Sequence, residues 1–130
     1  MDNSTYSFGM IGLGTMGRNL LLNMADNGFS VAGYDKDASK ITTLEKEGAG
    51  KPVKGFTALN DFLASLSSPK VIMMLVPAGK IVDNVIDELC PLLSKGDIII
   101  DGGNSHFTDT TARVSRLEEK GLHFFGMGVS

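Results

Sequence analysis

The sequence predicts an α/β fold, doubly wound around a mainly parallel β-sheet with helices on both faces. Short apolar runs typical of strands alternate along the whole chain with longer segments of helical periodicity. This order favours parallel pairing and right-handed crossovers. Two of the runs, at residues 70–76 and 97–101, are almost continuously apolar, as expected for strands that are covered on both faces.

The predicted elements follow one another without a linker. Strands are expected at residues 6–11, 30–34, 53–56, 70–76, 97–101 and 122–125. Helices are expected at about 15–27, 37–47, 58–66, after Gly79, and at 108–120. The first helix should carry Met16, Leu20 and Met24 on its apolar face, and the fourth has a stripe formed by Val82, Val85, Ile86, Leu89 and Leu93.

Residues at the helix ends support these limits. Thr57 is expected to cap the start of the third helix. Pro91 is expected to end or kink the fourth helix. Glycines stand where three helices should stop, at Gly28, Gly48 and Gly121.

Length and composition indicate one domain over residues 1–130 and exclude several classes of function. A net charge of −3 without a basic cluster argues against a nucleic-acid or anionic-membrane partner. No apolar run approaches the roughly 20 residues of a membrane span, and the polar start does not have the pattern of a secretory signal. Cys90 is the single cysteine, which suits a reducing, cytoplasmic location.

Residues 9–24, GMIGLGTMGRNLLLNM, place three glycines in a G-x-G-x-x-G frame between apolar runs. Gly12 would allow a tight turn from strand to helix, Gly14 a close approach of the backbone to a pyrophosphate, and Gly17 close packing of helix on strand. The N–H groups at the helix start would then face the anion. The alternative is that the glycines only make a turn.

Asp35 follows the second strand, 23 residues after Gly12, near the expected position of a ribose contact. Its carboxylate would accept hydrogen bonds from the adenosine ribose 2′-OH and repel a 2′-phosphate, which favours NAD over NADP. Lys36 and Lys40 complicate this preference because either ammonium could pair with a phosphate. For Lys40 a solvated surface position is the simpler interpretation. The glycines and Asp35 together predict a Rossmann-like dinucleotide-binding domain.

A second polar segment, IIIDGGNS at residues 98–105, ends a strand at the same sheet edge. Its polar end, Asp101 to Asn104, is expected to line the cleft where a nicotinamide ring would lie. An Asn amide both donates and accepts hydrogen bonds, so it suits a substrate hydroxyl or a carboxamide. A hydrogen-bonded turn rich in Asn and Gly is the alternative.

Four stretches together, GLGTMGRNLLLNMADNGF, MLVPAG, DIIIDGGNS and FFGMGVS, resemble the 6-phosphogluconate dehydrogenase family of the β-hydroxyacid dehydrogenase superfamily. The resemblance runs from about Phe8 to Ser130 and covers only the first part of the family's longer protein. It implies oxidation of 6-phosphogluconate at C3 by hydride transfer to NADP, or to NAD in some members. Decarboxylation to ribulose 5-phosphate and CO₂ follows, a step of the pentose phosphate pathway. A homodimeric full-length enzyme is implied as well.

The resemblance also assigns residues. It places the cofactor diphosphate at Gly12, Leu13, Gly14, Thr15, Met16 and Gly17. The other implied cofactor contacts are Asp35, Lys36 and Asp37 at the ribose, Val76, Pro77, Ala78 and Gly79 beside the ring system, and Asn104. Asn104 matches the family Asn that touches both cofactor and substrate, and Ser130 matches the Ser that opens the substrate loop.

Two departures from the family pattern concern the cofactor. Asp35-Lys36-Asp37 stands where NADP-using members have Asn-Arg-Ser/Thr, and Pro77 stands where many members have Lys. The choice between NAD and NADP is therefore open. The family's catalytic Lys and Glu and its helical substrate and dimerisation domain lie beyond Ser130. No catalytic residue is expected in this chain, which should bind a dinucleotide without turning over substrate.

Two other functions are compatible with these residues. One is a different β-hydroxyacid dehydrogenase, and the other is a stand-alone dinucleotide-binding regulatory module. The remaining reactive side chains are expected in structural or surface positions, namely Lys70, Lys80, Lys95, His106, His123 and Cys90. For His106, which follows Asn104, a position lining the cleft is the alternative. No cluster has metal-ligand spacing, so no metal is expected.

Overall fold

The computed structural model describes residues 6–67, 69–76, 80–102 and 107–126. The strands are β1 (Phe8–Ile11), β2 (Val31–Tyr34), β3 (Val53–Phe56), β4 (Val71–Met74), β5 (Ile98–Asp101) and β6 (His123–Gly126). The α-helices are α1 (Thr15–Asp26), α2 (Ala38–Glu47), α3 (Leu59–Ala64), α4 (Lys80–Leu89) and α5 (Phe107–Glu118), and a short 3-10 helix follows α4 at Cys90–Leu92.

The six strands form one sheet in the order β3-β2-β1-β4-β5-β6, and all five pairings are parallel. The chain builds outward from β1 to β3, then crosses back and builds the other half from β4 to β6. The carboxyl ends of β1 and β4 therefore flank the point at which the strand order reverses, where open α/β sheets bind their ligands. The predicted doubly wound fold is confirmed.

Helices cover both faces of the sheet, and neighbouring residues of a strand pack against opposite faces. On β1, Met10 packs into the core under α1 and α2, whereas Ile11 packs into the core under α3, α4 and α5. Both side chains are almost completely buried. This double burial explains why the strands are apolar at nearly every position.

The first helix turns a different face to the sheet than the sequence pattern predicts. Gly17, Leu21 and Ala25 are buried, whereas Met16 is 50% exposed. Leu20 and Met24 are only half-buried. The small residues Gly17 and Ala25 let the helix axis approach the strands. They therefore occupy the buried face on which Met16, Leu20 and Met24 were expected.

Most element boundaries differ from the predictions by one or two residues, and β3 has its predicted limits. Residues 6 and 7 precede β1, and β4 ends at Met74. Ala58, not Thr57, is the N-cap of α3, and no side-chain hydrogen bond is made at this cap. Pro91 does end the fourth helix, since α4 gives way to the 3-10 turn at Cys90. Within the described residues, no helix has both the length and the hydropathy of a membrane span.

Candidate functional site

The glycine turn joins β1 to α1 at the reversal point of the sheet. Gly12 has a φ of +100°, a conformation that favours glycine. Its N–H donates to the Tyr34 carbonyl at 3.0 Å, and a methyl group on its Cα would collide with the carbonyl oxygen of Leu75. The backbone of β1 therefore turns in a space between β2 and β4 that no side chain could enter.

The other two glycines of the frame have different surroundings. A methyl group at Gly17 would collide with the carbonyl oxygen of Gly12, so this position brings the helix against the turn. A methyl group at Gly14 would meet no protein atom within 4 Å. The space beside Gly14 is open, as a phosphate cradle requires.

The start of α1 offers backbone donors to that open space. Gly14 is the N-cap and, because it has no side chain, it does not cap the first amides of the helix. The Arg18 N–H closes the first helical turn onto the Gly14 carbonyl at 2.9 Å. The preceding amides at Thr15, Met16 and Gly17 belong to the turn whose N–H groups have no acceptor within the helix. These amides and the helix dipole together would favour an anion at this position.

Asp35 follows β2 and holds the turn in place. Its Oδ2 accepts a hydrogen bond from the Leu13 N–H at 2.9 Å, and its Oδ1 accepts one from the Asp37 N–H at 2.9 Å. The carboxylate therefore ties the glycine turn to the loop after β2. Because two carboxylate oxygens offer about four acceptor positions, this arrangement leaves capacity for ribose hydroxyls.

Lys36 and Asp37 are both exposed but have different partners. The Lys36 ammonium lies 3.8 Å from Oε2 of Glu88 on α4. Asp37 caps α2, accepting from the Ser39 hydroxyl at 2.6 Å and the Ser39 N–H at 2.9 Å. These hydrogen bonds, led by the one from the hydroxyl, lower the pKa of the Asp37 carboxyl.

A cleft of about 200 Å³ opens beside the glycine turn, between the ends of β1 and β2 and helices α3 and α4. Asp35, Lys36 and Gly12 line one side. The residues of the cleft that the sequence analysis did not assign to a site are Ile11, Tyr34, Leu59, Ile81, Val85 and Glu88. Ile81, Val85 and Glu88 are spaced at i, i+4 and i+7 along α4. This spacing in the sequence would have predicted that the three side chains share one face of the helix.

Tyr34 lies at the floor of this cleft. Burial raises the pKa of its hydroxyl, and the negative charges of Glu88 and Asp35 raise it further. The carboxylates of Glu88 and Asp35 therefore both impose a negative potential at the floor of the cleft.

In the second predicted segment, residues 98–105, Asp101 has a different environment from the one that the sequence predicted. Asp101 does not line an open cleft, because its side chain is 1% exposed and lies 4.0 Å from the buried guanidinium of Arg113. Arg113 also forms a two-pronged contact with Asp83, Nε to Oδ1 at 2.8 Å and Nη2 to Oδ2 at 3.2 Å. This network joins β5, α4 and α5.

Arg113 was not identified from the sequence, where it is one of several charged residues on a polar helix. Its hydrogen bond to Asp83 has the largest effect and lowers the pKa of that carboxyl; burial opposes this shift, and the charges of Arg113 and Arg116 lower the pKa further. The other expected residues of this region, Gly103, Asn104 and His106, lie outside the described residues, as do Pro77, Ala78, Gly79 and Ser130. Their predicted roles stay predictions.

The remaining reactive side chains occupy ordinary positions. Cys90 is half-buried against the core, and this burial raises the pKa of its thiol. His123 is exposed at the start of β6, and Lys95 is exposed before β5. In the described part of the chain, His, Cys, Asp and Glu side chains nowhere gather in threes as a metal site would need.

Comparison with known proteins decides the family. Residues 7–130 match the family described as the NAD binding domain of 6-phosphogluconate dehydrogenase. The chain belongs to this family. It is 51% identical over 124 residues to 6-phosphogluconate dehydrogenase, decarboxylating 1, of Saccharomyces cerevisiae, and 47% identical over 124 residues to the decarboxylating enzyme of Bacillus licheniformis. These stretches cover 95% of this chain but 25% and 27% of those proteins.

Solved structures agree with this assignment. The 6-phosphogluconate dehydrogenase of Plasmodium falciparum, described in apo form and in complex with NADP+ or 6-phosphogluconate, matches with a TM-score of 0.86 and 31% identity. That match covers 91% of this chain and 26% of the other. A 3-hydroxyisobutyrate dehydrogenase of Mycobacterium tuberculosis shares the fold, with a TM-score of 0.82 at 21% identity over 97% of this chain and 41% of that one. The chain thus spans about a quarter of the dehydrogenases of its own family.

Proposed function

We propose that this chain is the cofactor-binding part of a decarboxylating 6-phosphogluconate dehydrogenase. The whole enzyme would oxidise 6-phosphogluconate and release CO₂ and ribulose 5-phosphate. The observation that carries the proposal is the open space beside Gly14 at the start of α1, next to Leu13, whose N–H donates to the Asp35 carboxylate. A nicotinamide dinucleotide fits this donor set, because its diphosphate needs N–H donors and its ribose needs a hydroxyl acceptor.

The residues of this chain would bind and orient the cofactor. The amides at Thr15 and Met16 would hold the diphosphate, and the free acceptor positions of Asp35 would receive the ribose hydroxyls. The apolar side chains of Ile81 and Val85 give the cleft a wall that suits a flat aromatic ring. The dinucleotide supplies the hydride acceptor of the reaction.

The substrate side of the proposal rests on the family. Asn104 and Ser130 would contact 6-phosphogluconate, and a helical domain supplying the general base, the general acid and the dimer interface would complete the site. Since general acid and base catalysis contribute about 10²–10⁴-fold, this chain alone should bind cofactor without measurable turnover. A rate with 6-phosphogluconate and either cofactor above the blank would contradict this.

The binding site itself is tested by Gly14→Val. The backbone at Gly14 has a φ of −65° and a ψ of −177°, which any residue adopts, and the added side chain meets open space. The variant should therefore keep its unfolding midpoint within about 2 °C. Its side chain would occupy the phosphate position, so dinucleotide affinity measured by calorimetry should fall at least about tenfold.

Asn19→Ala is the matched control, because Asn19 is exposed on the same helix outside the turn. It should change neither stability nor affinity. Equal binding by wild type and Gly14→Val would contradict the proposed site.

A further inference from the structure

We propose that Glu88 on α4 is a specificity-determining residue that disfavours a 2′-phosphate on the bound dinucleotide. The inference deepens the proposed cofactor function and rests on it. It concerns the ligand class: a dinucleotide with a free ribose 2′-hydroxyl, as in NAD, over one carrying a 2′-phosphate.

The position of Glu88 follows from the face that α4 turns to the cleft. Ile81, Val85 and Glu88 all line it, whereas the neighbouring Asp87 points to the other side and lies 3.7 Å from Arg116 on α5. Glu88 therefore faces the loop after β2 from across the cleft. The negative charge of Glu88 also acts on Tyr34 at the floor of the cleft, where it contributes to the raised pKa of the hydroxyl.

Lys36 is the cation of that loop available to a 2′-phosphate, and Glu88 competes for it. The two charged groups are 3.8 Å apart, and 76% of the Lys36 side chain and 48% of the Glu88 side chain are exposed. A pair this exposed contributes little to stability. Its consequence is electrostatic: a phosphate would approach an ammonium that already has a carboxylate beside it.

Several hydrogen-bond donors after β2 already have acceptors within the chain. The Asp37 N–H donates to Asp35, and the Ser39 N–H and hydroxyl both donate to Asp37. The start of α2 is therefore capped by a carboxylate of the chain itself, which would repel a phosphate at the same place. In this region the three carboxylates of Asp35, Asp37 and Glu88 outnumber the two ammonium groups of Lys36 and Lys40, so the local charge balance is negative.

The test is Glu88→Gln, which keeps the size of the side chain and removes its charge. Calorimetric titration with NAD+ and NADP+ at low salt should show NADP+ affinity rising about fivefold, as expected for removing one charge several ångströms from a phosphate. NAD+ affinity should change less than twofold. Asp87→Asn is the matched control, with the same charge change one residue away, and should leave the NADP+/NAD+ ratio unchanged.

A double-variant cycle separates competition for Lys36 from a general charge effect. Lys36→Gln should weaken NADP+ binding more in the Glu88→Gln background than in wild type, because the ammonium is free there. Glu88→Ala serves as a second charge-removing variant, and thermal unfolding checks that each variant is folded.

The outcomes distinguish this inference from the function on which it rests. If wild type binds neither nucleotide, the proposed function and the inference are both overturned. If it binds them but Glu88→Gln leaves the ratio within twofold, or Asp87→Asn moves it equally, only the role of Glu88 is overturned.

Discussion

At the scale of single residues, Asp35 carries two functions that a sequence motif cannot separate. The motif predicts a ribose acceptor at this position. In the structure, both oxygens of the carboxylate also accept backbone N–H groups, from Leu13 and Asp37. Asp35 is thus part of the framework that shapes the glycine turn as well as a candidate contact to the cofactor.

Asp35→Asn should therefore change stability and specificity together. An Asn side chain has one acceptor oxygen, so one of the two N–H groups loses its partner, and the free energy of unfolding should fall by about 1–2 kcal/mol. Loss of the charge should reduce the preference for NAD+ over NADP+. Urea unfolding and calorimetric titration measure the two effects.

Asp87→Asn again provides the reference, since that carboxylate is 67% exposed. It should leave stability within about 0.5 kcal/mol. A stable Asp35→Asn variant with unchanged cofactor preference would show that neither role of Asp35 is energetically important.

At the scale of secondary-structure elements, the buried Arg113 and Asp101 and the half-exposed Asp83 form a network that joins two helices to the end of β5. Arg113 is 4% exposed and Asp101 is 1% exposed. The segment after β5 carries the predicted substrate contact, so the network fixes the strand end from which that segment departs. Breaking such a buried pair on one side is costly because a charge is left buried.

Arg113→Met should lower the free energy of unfolding by about 3–5 kcal/mol, because it removes the buried cation beside Asp101. Arg113→Lys, which keeps the charge and loses the two-pronged geometry, should have an intermediate effect. Arg116→Met is the control: Arg116 lies 3.9 Å from the same Asp83 but is 42% exposed, and its loss should cost less than about 1 kcal/mol. Similar losses for Arg113→Met and Arg116→Met, measured by urea unfolding, would contradict this account.

The same network gives a pH dependence with a definite sign. The pKa of Asp83 is lowered in the folded chain relative to its ordinary value of 3.8. Its contribution to stability is therefore complete above that value and is lost as pH falls through the lower folded pKa. Solvent screens the effect, since 43% of the Asp83 side chain is exposed.

Urea midpoints measured between pH 6 and pH 2.5 should fall less steeply for Asp83→Asn than for wild type below about pH 4. Parallel curves for the two proteins would show that Asp83 does not contribute to acid sensitivity.

At the scale of the whole molecule, the sequence was sufficient to predict the parallel sheet, and the glycine turn lies at the point where its strand order reverses. The alternation of strand-like and helix-like segments and the continuously apolar runs predict a parallel sheet covered on both faces. The three glycines followed by an acidic residue predict which edge of that sheet binds the ligand. Gly12 and Gly17 behave as the motif predicts, because both face backbone oxygens that exclude a side chain.

Contacts between elements distant in sequence could not be predicted in this way. The pairing of Lys36 with Glu88 joins the loop after β2 to α4, and Arg113 reaches Asp83 across 30 residues. Each of these two contacts depends on which face a helix turns towards its neighbours in the packed fold. The first helix shows the limit clearly, since Gly17 and Ala25 occupy the buried face that Met16 and Leu20 were expected to share.

A dinucleotide site at the glycine turn is tested by an amide chemical-shift map of the 13.8 kDa chain during titration with NAD+. The largest shifts are expected at Gly12 to Gly17 and Asp35 to Asp37, with a second group at Ile81, Val85 and Glu88 on α4. Shifts confined to α5 and β6, or no shifts at millimolar NAD+ and NADP+, would contradict a dinucleotide site at the glycine turn.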